Sequence, residues 1–228
     1  MSWWLEACQS PSESVLAQAL ARQSQLTKPT GSLSELESVA VTLASLQNTV
    51  KPKIDRPWIT IFAGDHGVME EKISAYPQAV TRQMLQNFAT GGACISVIAK
   101  EYQAKLQVID CGSVGEAYEY VGVERHCIRA GTANFAQTQA MTEAECEAAF
   151  ALGQKSVEDA IAYGADIYVA GEMGIGNTCS ASAVACFLLA EPAEKLTGVG
   201  TGIRTDQLIH KKQVIDQALA LHAQYVGN

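Results

Sequence analysis

Short apolar runs alternate along this chain with longer stretches of helical spacing. Trp58-Ile59-Thr60-Ile61-Phe62-Ala63, Leu106-Gln107-Val108-Ile109-Asp110 and Asp166-Ile167-Tyr168-Val169-Ala170 are rich in β-branched residues and predict strands. The last of them, entered through Ala165, reads as a buried strand, and a weaker strand pattern lies at 126–129. Three capping boxes predict helix starts: Ser10-Pro11-Ser12-Glu13, with Pro11 at the first helical position, Ser32-Leu33-Ser34-Glu35, and Thr142-Glu143-Ala144-Glu145. The second carries Leu36, Val39, Ala40, Leu43 and Leu46 at helical spacing, and the third runs to about Tyr163. Further helices are predicted over 78–88, 92–102, 178–189 and 205–224. Strands alternating with helices predict an α/β fold, a doubly wound, Rossmann-like and mainly parallel sheet. Residues 1–52 show helices and no strand, so they are expected to form an N-terminal helical layer on an α/β core over 53–228.

Composition narrows the partners. The 228 residues are 48% hydrophobic and 18% charged, with a formal net charge of −8. That balance argues against a nucleic-acid partner, which would want a basic face. It leaves room for a phosphorylated small molecule, because a local nest of N–H groups holds one phosphate on an acidic protein. Seven cysteines without a C-x-x-C pair predict reduced, buried thiols in a cytoplasmic protein. The segment 1–9 lacks the basic region of a secretory signal, and no apolar run has membrane-spanning length, so no membrane association is expected.

The chemistry gathers at predicted strand ends, where open α/β sheets bind ligands. After the first strand comes Gly64-Asp65-His66-Gly67, after the second Cys111-Gly112-Ser113, and after the third Gly171-Glu172-Met173-Gly174-Ile175-Gly176-Asn177-Thr178. Three glycines at a strand-to-helix turn let the backbone approach a ligand, and free N–H groups at the helix start would face an anion. Glu172 sets a single carboxylate in that loop. A dinucleotide fingerprint read from Gly174 would need glycine where Cys179 stands, which disfavours a nicotinamide-cofactor oxidoreductase. Asp65 and His66 have no further ligand at metal-binding spacing, so no metal is predicted; Asp65 reads as substrate-orienting or as a turn cap. Tyr76-Pro77-Gln78 leads into a helix with Gln83, Gln86 and Asn87, either a wall for a heterocyclic base or a solvated helix face. Gly198-Val199-Gly200-Thr201-Gly202 precedes a helix with Lys211 and Lys212, of which Lys212 reads as a surface residue.

Taken in order, these blocks resemble the nicotinate-nucleotide:dimethylbenzimidazole phosphoribosyltransferase family of cobalamin lower-ligand assembly. The matching stretches are Lys28-Pro29-Thr30-Gly31-Ser32-Leu33, Phe62 through Val68, Ser74-Ala75-Tyr76-Pro77-Gln78, Arg129-Ala130-Gly131-Thr132-Ala133-Asn134-Phe135, Gly171 through Thr178, and Gly198 through Gly202.

The resemblance implies a homodimer that transfers the phosphoribosyl group of nicotinate mononucleotide to 5,6-dimethylbenzimidazole, giving α-ribazole 5′-phosphate and nicotinate without a cofactor. By the same resemblance Gly174, Ile175, Gly176, Asn177 and Thr178 hold phosphate and ribose. Gly200, Gly202 and Lys211 complete the anion site, and Tyr76, Pro77, Gln78 and Gln86 line the benzimidazole pocket. Asp65 and His66 support the site. Glu172 is the candidate catalytic carboxylate, placed to stabilise positive charge on the ribose. Family members extend beyond the equivalent of Asn228 and supply there a general-base glutamate and further strands. Neither is matched here, so the alternative expectation is a truncated, non-catalytic nucleotide-binding remnant. Gly176→Val is expected to abolish nucleotide binding by placing a side chain in the phosphate path; unchanged affinity in calorimetry would remove this loop from the site.

Overall fold

The computed structural model describes residues 3–225. Met1 and Ser2, at the start of the segment read as carrying no secretory signal, and Val226 to Asn228, which end the chain, lie outside the described residues. The chain divides into two compact units at Asp55/Arg56.

The first unit is a helical pair, α1 (Glu13–Gln25) and α2 (Glu35–Leu46), closed around Val15, Ala19, Val41 and Ala44. Its caps differ from those expected. Ser12, not Ser10, caps α1, its hydroxyl accepting from the Val15 N–H at 3.4 Å, so Pro11 stands outside the helix. Ser34 flanks α2 with φ 48° and makes no side-chain cap. Glu37 serves instead: it accepts the Leu33 N–H at 3.1 Å and pairs with Lys28 at 2.7 Å. That lysine holds the Glu37 carboxyl below the usual range. The inward face of α2 is Val41, Ala44 and Ser45, whereas Leu36, Val39 and Leu46 of the predicted stripe are exposed.

The second unit holds a four-stranded, all-parallel sheet in the order β3-β2-β1-β4. Its strands are β1 (Pro57–Gly64), β2 (Lys105–Gly112), β3 (Glu124–Arg125) and β4 (Ile167–Met173). The odd side chains of β1, Ile59, Ile61 and Ala63, pack with Leu85, Phe88 and Ala99 of α3 (Ala79–Thr90) and α4 (Cys94–Glu101). The even ones turn toward α5 (Glu143–Tyr163), where Trp58 stacks edge-on against Tyr163. Alternation on a strand buried from both sides therefore gives the doubly wound arrangement. The capping box of α5 forms as predicted: Thr142 Oγ1 accepts the Glu145 N–H at 3.2 Å and Glu145 accepts the Thr142 N–H at 2.7 Å. The weak strand expected at 126–129 is two residues earlier. His126 and Ile128 still donate to the Asp110 and Cys111 carbonyls at 2.9 Å each, as the chain peels away from β2. β4 is half exposed rather than buried, because among the described strands it pairs only with β1.

A third apolar cluster lies among the segments that follow the strands. Val68, Phe135 and Cys179 pack there with Val214 and Ile215 of α8 (Thr205–His222). α6 (Asn177–Leu189) and α8 pack together, bridged by the short α7 (Ala193–Leu196). Of the cysteines only Cys179 and Cys186 are buried; Cys8, Cys94, Cys127 and Cys146 are exposed, so the expectation of buried thiols holds for two of seven.

A buried polar knot joins β1, β2, β4 and α5. Thr60 Oγ1 accepts from the Trp58 indole at 2.9 Å and donates to Gln107 Oε1 at 3.0 Å. Ser156 donates to the same amide oxygen at 2.9 Å and shares a bond with the Tyr168 hydroxyl at 2.9 Å. Removing one member leaves the others desolvated and unpaired, at about 1–3 kcal/mol. Gln107→Leu is therefore expected to destabilise the chain by about 1–3 kcal/mol, read as a lower midpoint in chemical denaturation.

Candidate active site

The strand order reverses direction between β1 and β4, and the carboxyl ends of these two strands open side by side. Such a switch point is where doubly wound sheets bind ligands. Glu172 belongs to β4 itself, in register with Phe62, rather than to the loop after it. Being on a strand, its carboxylate is aimed by the pleat. Asn177 Nδ2 donates to Oε2, and His66 Nε2 stands 3.9 Å from Oε1. The glycine after this strand is required by protein packing: a Cβ on Gly174 would strike the Gly64 carbonyl and come within 2.8 Å of His66 Nε2. The close approach expected toward a ligand is thus used to seat β4 against the end of β1.

The start of α6 is also less open than expected. Gly176 caps it with φ 97°. The Ile175 N–H donates to Thr81 Oγ1 at 3.1 Å, Asn177 N–H to the Gly174 carbonyl at 2.9 Å, and Thr178 N–H to Asn177 Oδ1 at 2.7 Å. The stronger anion-attracting feature lies on the far side of Thr178. Lys211, only 1% exposed, donates from Nζ to Thr178 Oγ1 at 2.7 Å and to the Gly198 carbonyl at 3.2 Å. Gly200, with φ 55°, faces both: a Cβ there would lie 3.1 Å from Nζ and clash with the Thr178 hydroxyl. Burial pushes Lys211 below its ordinary value and pushes the neighbouring Cys179 thiol up to about 11, the lysine charge opposing the latter. A buried cation whose partners are neutral favours an incoming anion. Thr178, Gly200 and Lys211, distant in sequence, are brought together here. Gly202 takes φ 79° in the same turn, while Lys212 pairs at the surface with Glu194 at 2.8 Å.

Asp65 is a brace. Buried at 3% exposure, it accepts the Val114 N–H at 2.8 Å through its carboxylate and the Thr132 N–H at 3.0 Å through its carbonyl. Its own N–H donates to the Gly112 carbonyl at 3.2 Å, so one residue ties together the segments after β1, after β2 and at 129–135. Burial raises its carboxyl above the usual range, and the Val114 N–H opposes the rise. Beside it a cavity of about 200 Å³ opens over the strand ends, lined by His66, Arg129, Met141 and Glu172 among others.

A family model described as Phosphoribosyltransferase matches residues 8–227. The chain belongs to that family. It is 54% identical over 227 residues to a nicotinate-nucleotide--dimethylbenzimidazole phosphoribosyltransferase of Pseudomonas fluorescens (strain SBW25), covering 100% of this chain and 65% of that protein. A protein of the same name from Pseudomonas putida (strain W619) is 52% identical, covering 97% of this chain and 63% of its own. Among solved structures, CobT from Thermus thermophilus superposes with a TM-score of 0.85 at 46% identity, covering 91% of this chain and 62% of that one. The chain thus spans just under two thirds of the length of these family relatives.

Within the family resemblance, the segment matched to a base pocket divides. Ser74 and Ala75 bond to the Thr201 hydroxyl at 3.1 and 3.2 Å, and Gln78 donates to the His66 carbonyl at 3.0 Å. This part therefore adjoins both the Gly198–Gly202 turn and His66. Tyr76 projects at 54% exposure beside Pro77, and α3 begins two residues after that proline, with Gln78 as its cap. Gln86 lines a different, shallow depression with Val80, Gln83 and Asn87. Thr81 and Ser180 were missed by the sequence reading, for hydroxyls on helix faces carry no spacing signal when their partners lie 94 and 114 positions away.

Because the folded state lowers the Lys211 value, its charge penalises folding fully below that value, and the penalty is relieved as pH rises through it toward 10.5. Lys211→Met is accordingly expected to leave the melting midpoint at pH 7 unchanged or higher. The same substitution should weaken binding of inorganic phosphate by about tenfold to a hundredfold, the two effects being read by calorimetry on one sample.

Proposed function

We propose that this chain binds nicotinate mononucleotide and takes part in phosphoribosyl transfer to 5,6-dimethylbenzimidazole, releasing nicotinate and forming α-ribazole 5′-phosphate, a step of cobalamin assembly. The observation that carries the reading is Lys211, a buried cation held by neutral groups at Thr178 and Gly198 and facing Gly200. In this reading the nucleotide phosphate is assigned to Thr178, Gly200 and Lys211. The Asn177 side chain links that point to Glu172, donating to the carboxylate while its oxygen receives the Thr178 N–H. The anion point and the carboxylate are therefore linked through one side chain, and the ribose is assigned to the space between them.

The chemistry follows from charge. As nicotinate leaves, positive charge develops on the ribose ring, and a fixed carboxylate stabilises it more in the transition state than in the bound substrate. Glu172, half exposed, faces the open side of the switch point and meets that need. The incoming benzimidazole is assigned to the Tyr76-Pro77-Gln78 segment, which Gln78 fastens to the backbone of His66. Gln86 belongs to this pocket by resemblance alone. The working form is assigned as a cytoplasmic homodimer without metal or organic cofactor.

The test is turnover of nicotinate mononucleotide and dimethylbenzimidazole by the purified chain, with α-ribazole 5′-phosphate as the product measured. Product that disappears in Glu172→Gln, with nucleotide binding retained, supports the assignment. Nucleotide binding without product reduces the chain to a binding module of this family, and absence of binding overturns the anion site.

A further inference from the structure

His66 stands at the centre of a short polar chain. Its Nδ1 lies 2.9 Å from Ser180 Oγ on the first turn of α6, and its Nε2 lies 3.9 Å from Glu172 Oε1. The ring is boxed in from two sides. A Cβ on Gly174 would fall 2.8 and 2.9 Å from Nε2 and Cδ2, and one on Gly176 would fall 3.3 Å from the His66 Cβ. The main chain is held as well, because Gln78 donates to the His66 carbonyl at 3.0 Å. The imidazole is thus fixed in place before any ligand arrives.

Only one neutral tautomer satisfies both neighbours. If the Ser180 hydroxyl donates to Nδ1, the ring proton sits on Nε2 and points at the carboxylate. The opposite tautomer would set the Nε2 lone pair against a carboxylate oxygen. The bond made by one ring nitrogen decides the role of the other. The order of the three groups also differs from that of a nucleophilic triad, where the hydroxyl bonds Nε2 and a buried carboxylate bonds Nδ1. Here the carboxylate is the open end, 51% exposed, and the hydroxyl is the internal one. Asn177 holds Oε2, and the His66 ring stands beside Oε1 at 3.9 Å, one short step beyond hydrogen-bond length.

We infer that His66 is the positioning residue for Glu172, with Ser180 selecting the Nε2–H tautomer that orients the carboxylate toward the sugar. The inference rests on the reading above of Glu172 as the working carboxylate. Two measurements separate the two ideas. Ring nitrogen spectra of the wild-type chain at about pH 8, where an ordinary imidazole is neutral, should show His66 as the Nε2–H form. Ser180→Ala should turn that signal into a mixture of tautomers, and Ser180→Thr should restore it. In calorimetry, Ser180→Ala should weaken nicotinate mononucleotide binding about three- to tenfold, again restored by Ser180→Thr. A wild-type His66 in the Nδ1–H form overturns the inference, and so does Ser180→Ala with unchanged spectrum and affinity. A wild-type chain that takes up no nucleotide removes the phosphoribosyl reading instead, leaving the tautomer to judge His66.

Discussion

The site depends on how closely the end of β4 approaches the end of β1. Gly174 lies against the Gly64 carbonyl and the His66 ring with no room for a single added carbon. That contact fixes where β4 stops, hence where Gly176 turns the chain into α6. It therefore fixes the positions of Asn177, Thr178 and Ser180 relative to Glu172. A looser join would still give a parallel sheet. It would not bring a strand-borne carboxylate, a histidine and a helix start to one place.

The second organising feature is a burial that works against stability. Lys211 is the largest fully buried side chain among those described, and its partners carry no negative charge. Folding alone gains little from such a group, since a Met of similar length would fill the space without desolvating a cation. An arrangement of this kind is explained by what it holds in readiness. The neighbouring polar groups divide similarly: Asp65 and Asp110 are buried and braced by backbone N–H groups, whereas Glu172 is left half open.

The sequence made the sheet legible because period-two apolar runs next to glycine turns have few other solutions. All three main strands overlap the predicted runs: β1 and β2 gain one or two residues at each end, and β4 starts one residue later and runs three further. The extension matters at β4, where it carries Glu172 from loop to strand. Helix starts were less legible. Ser10 and Ser12 both fit a cap, and only packing decides between them; on α2 the face carrying Val41 and Ala44 outcompetes the more hydrophobic Leu36 and Val39. Ion pairing at Glu37 also stands in place of the capping box expected to open at Ser32. In the candidate site, glycines and charged residues are conspicuous in the sequence, so Gly174, Glu172 and Lys211 stand out there as candidates. The hydroxyls of Thr81, which holds the Ile175 N–H, and of Ser180, which bonds His66 Nδ1, do not stand out, because their partners lie far along the chain.

Glu172 stands on the outermost described strand, and β4 is hydrogen-bonded to β1 on one side only. A strand held along one edge opens locally at lower free energy than one held along both. The outward-facing amides of β4 should then exchange with solvent well before those of β1. The same openings would carry the carboxylate out of its place between Asn177 and His66. The firmness of this carboxylate is thus set by whatever closes the free side of its strand, so occupancy of that edge and the placement of Glu172 are thermodynamically linked.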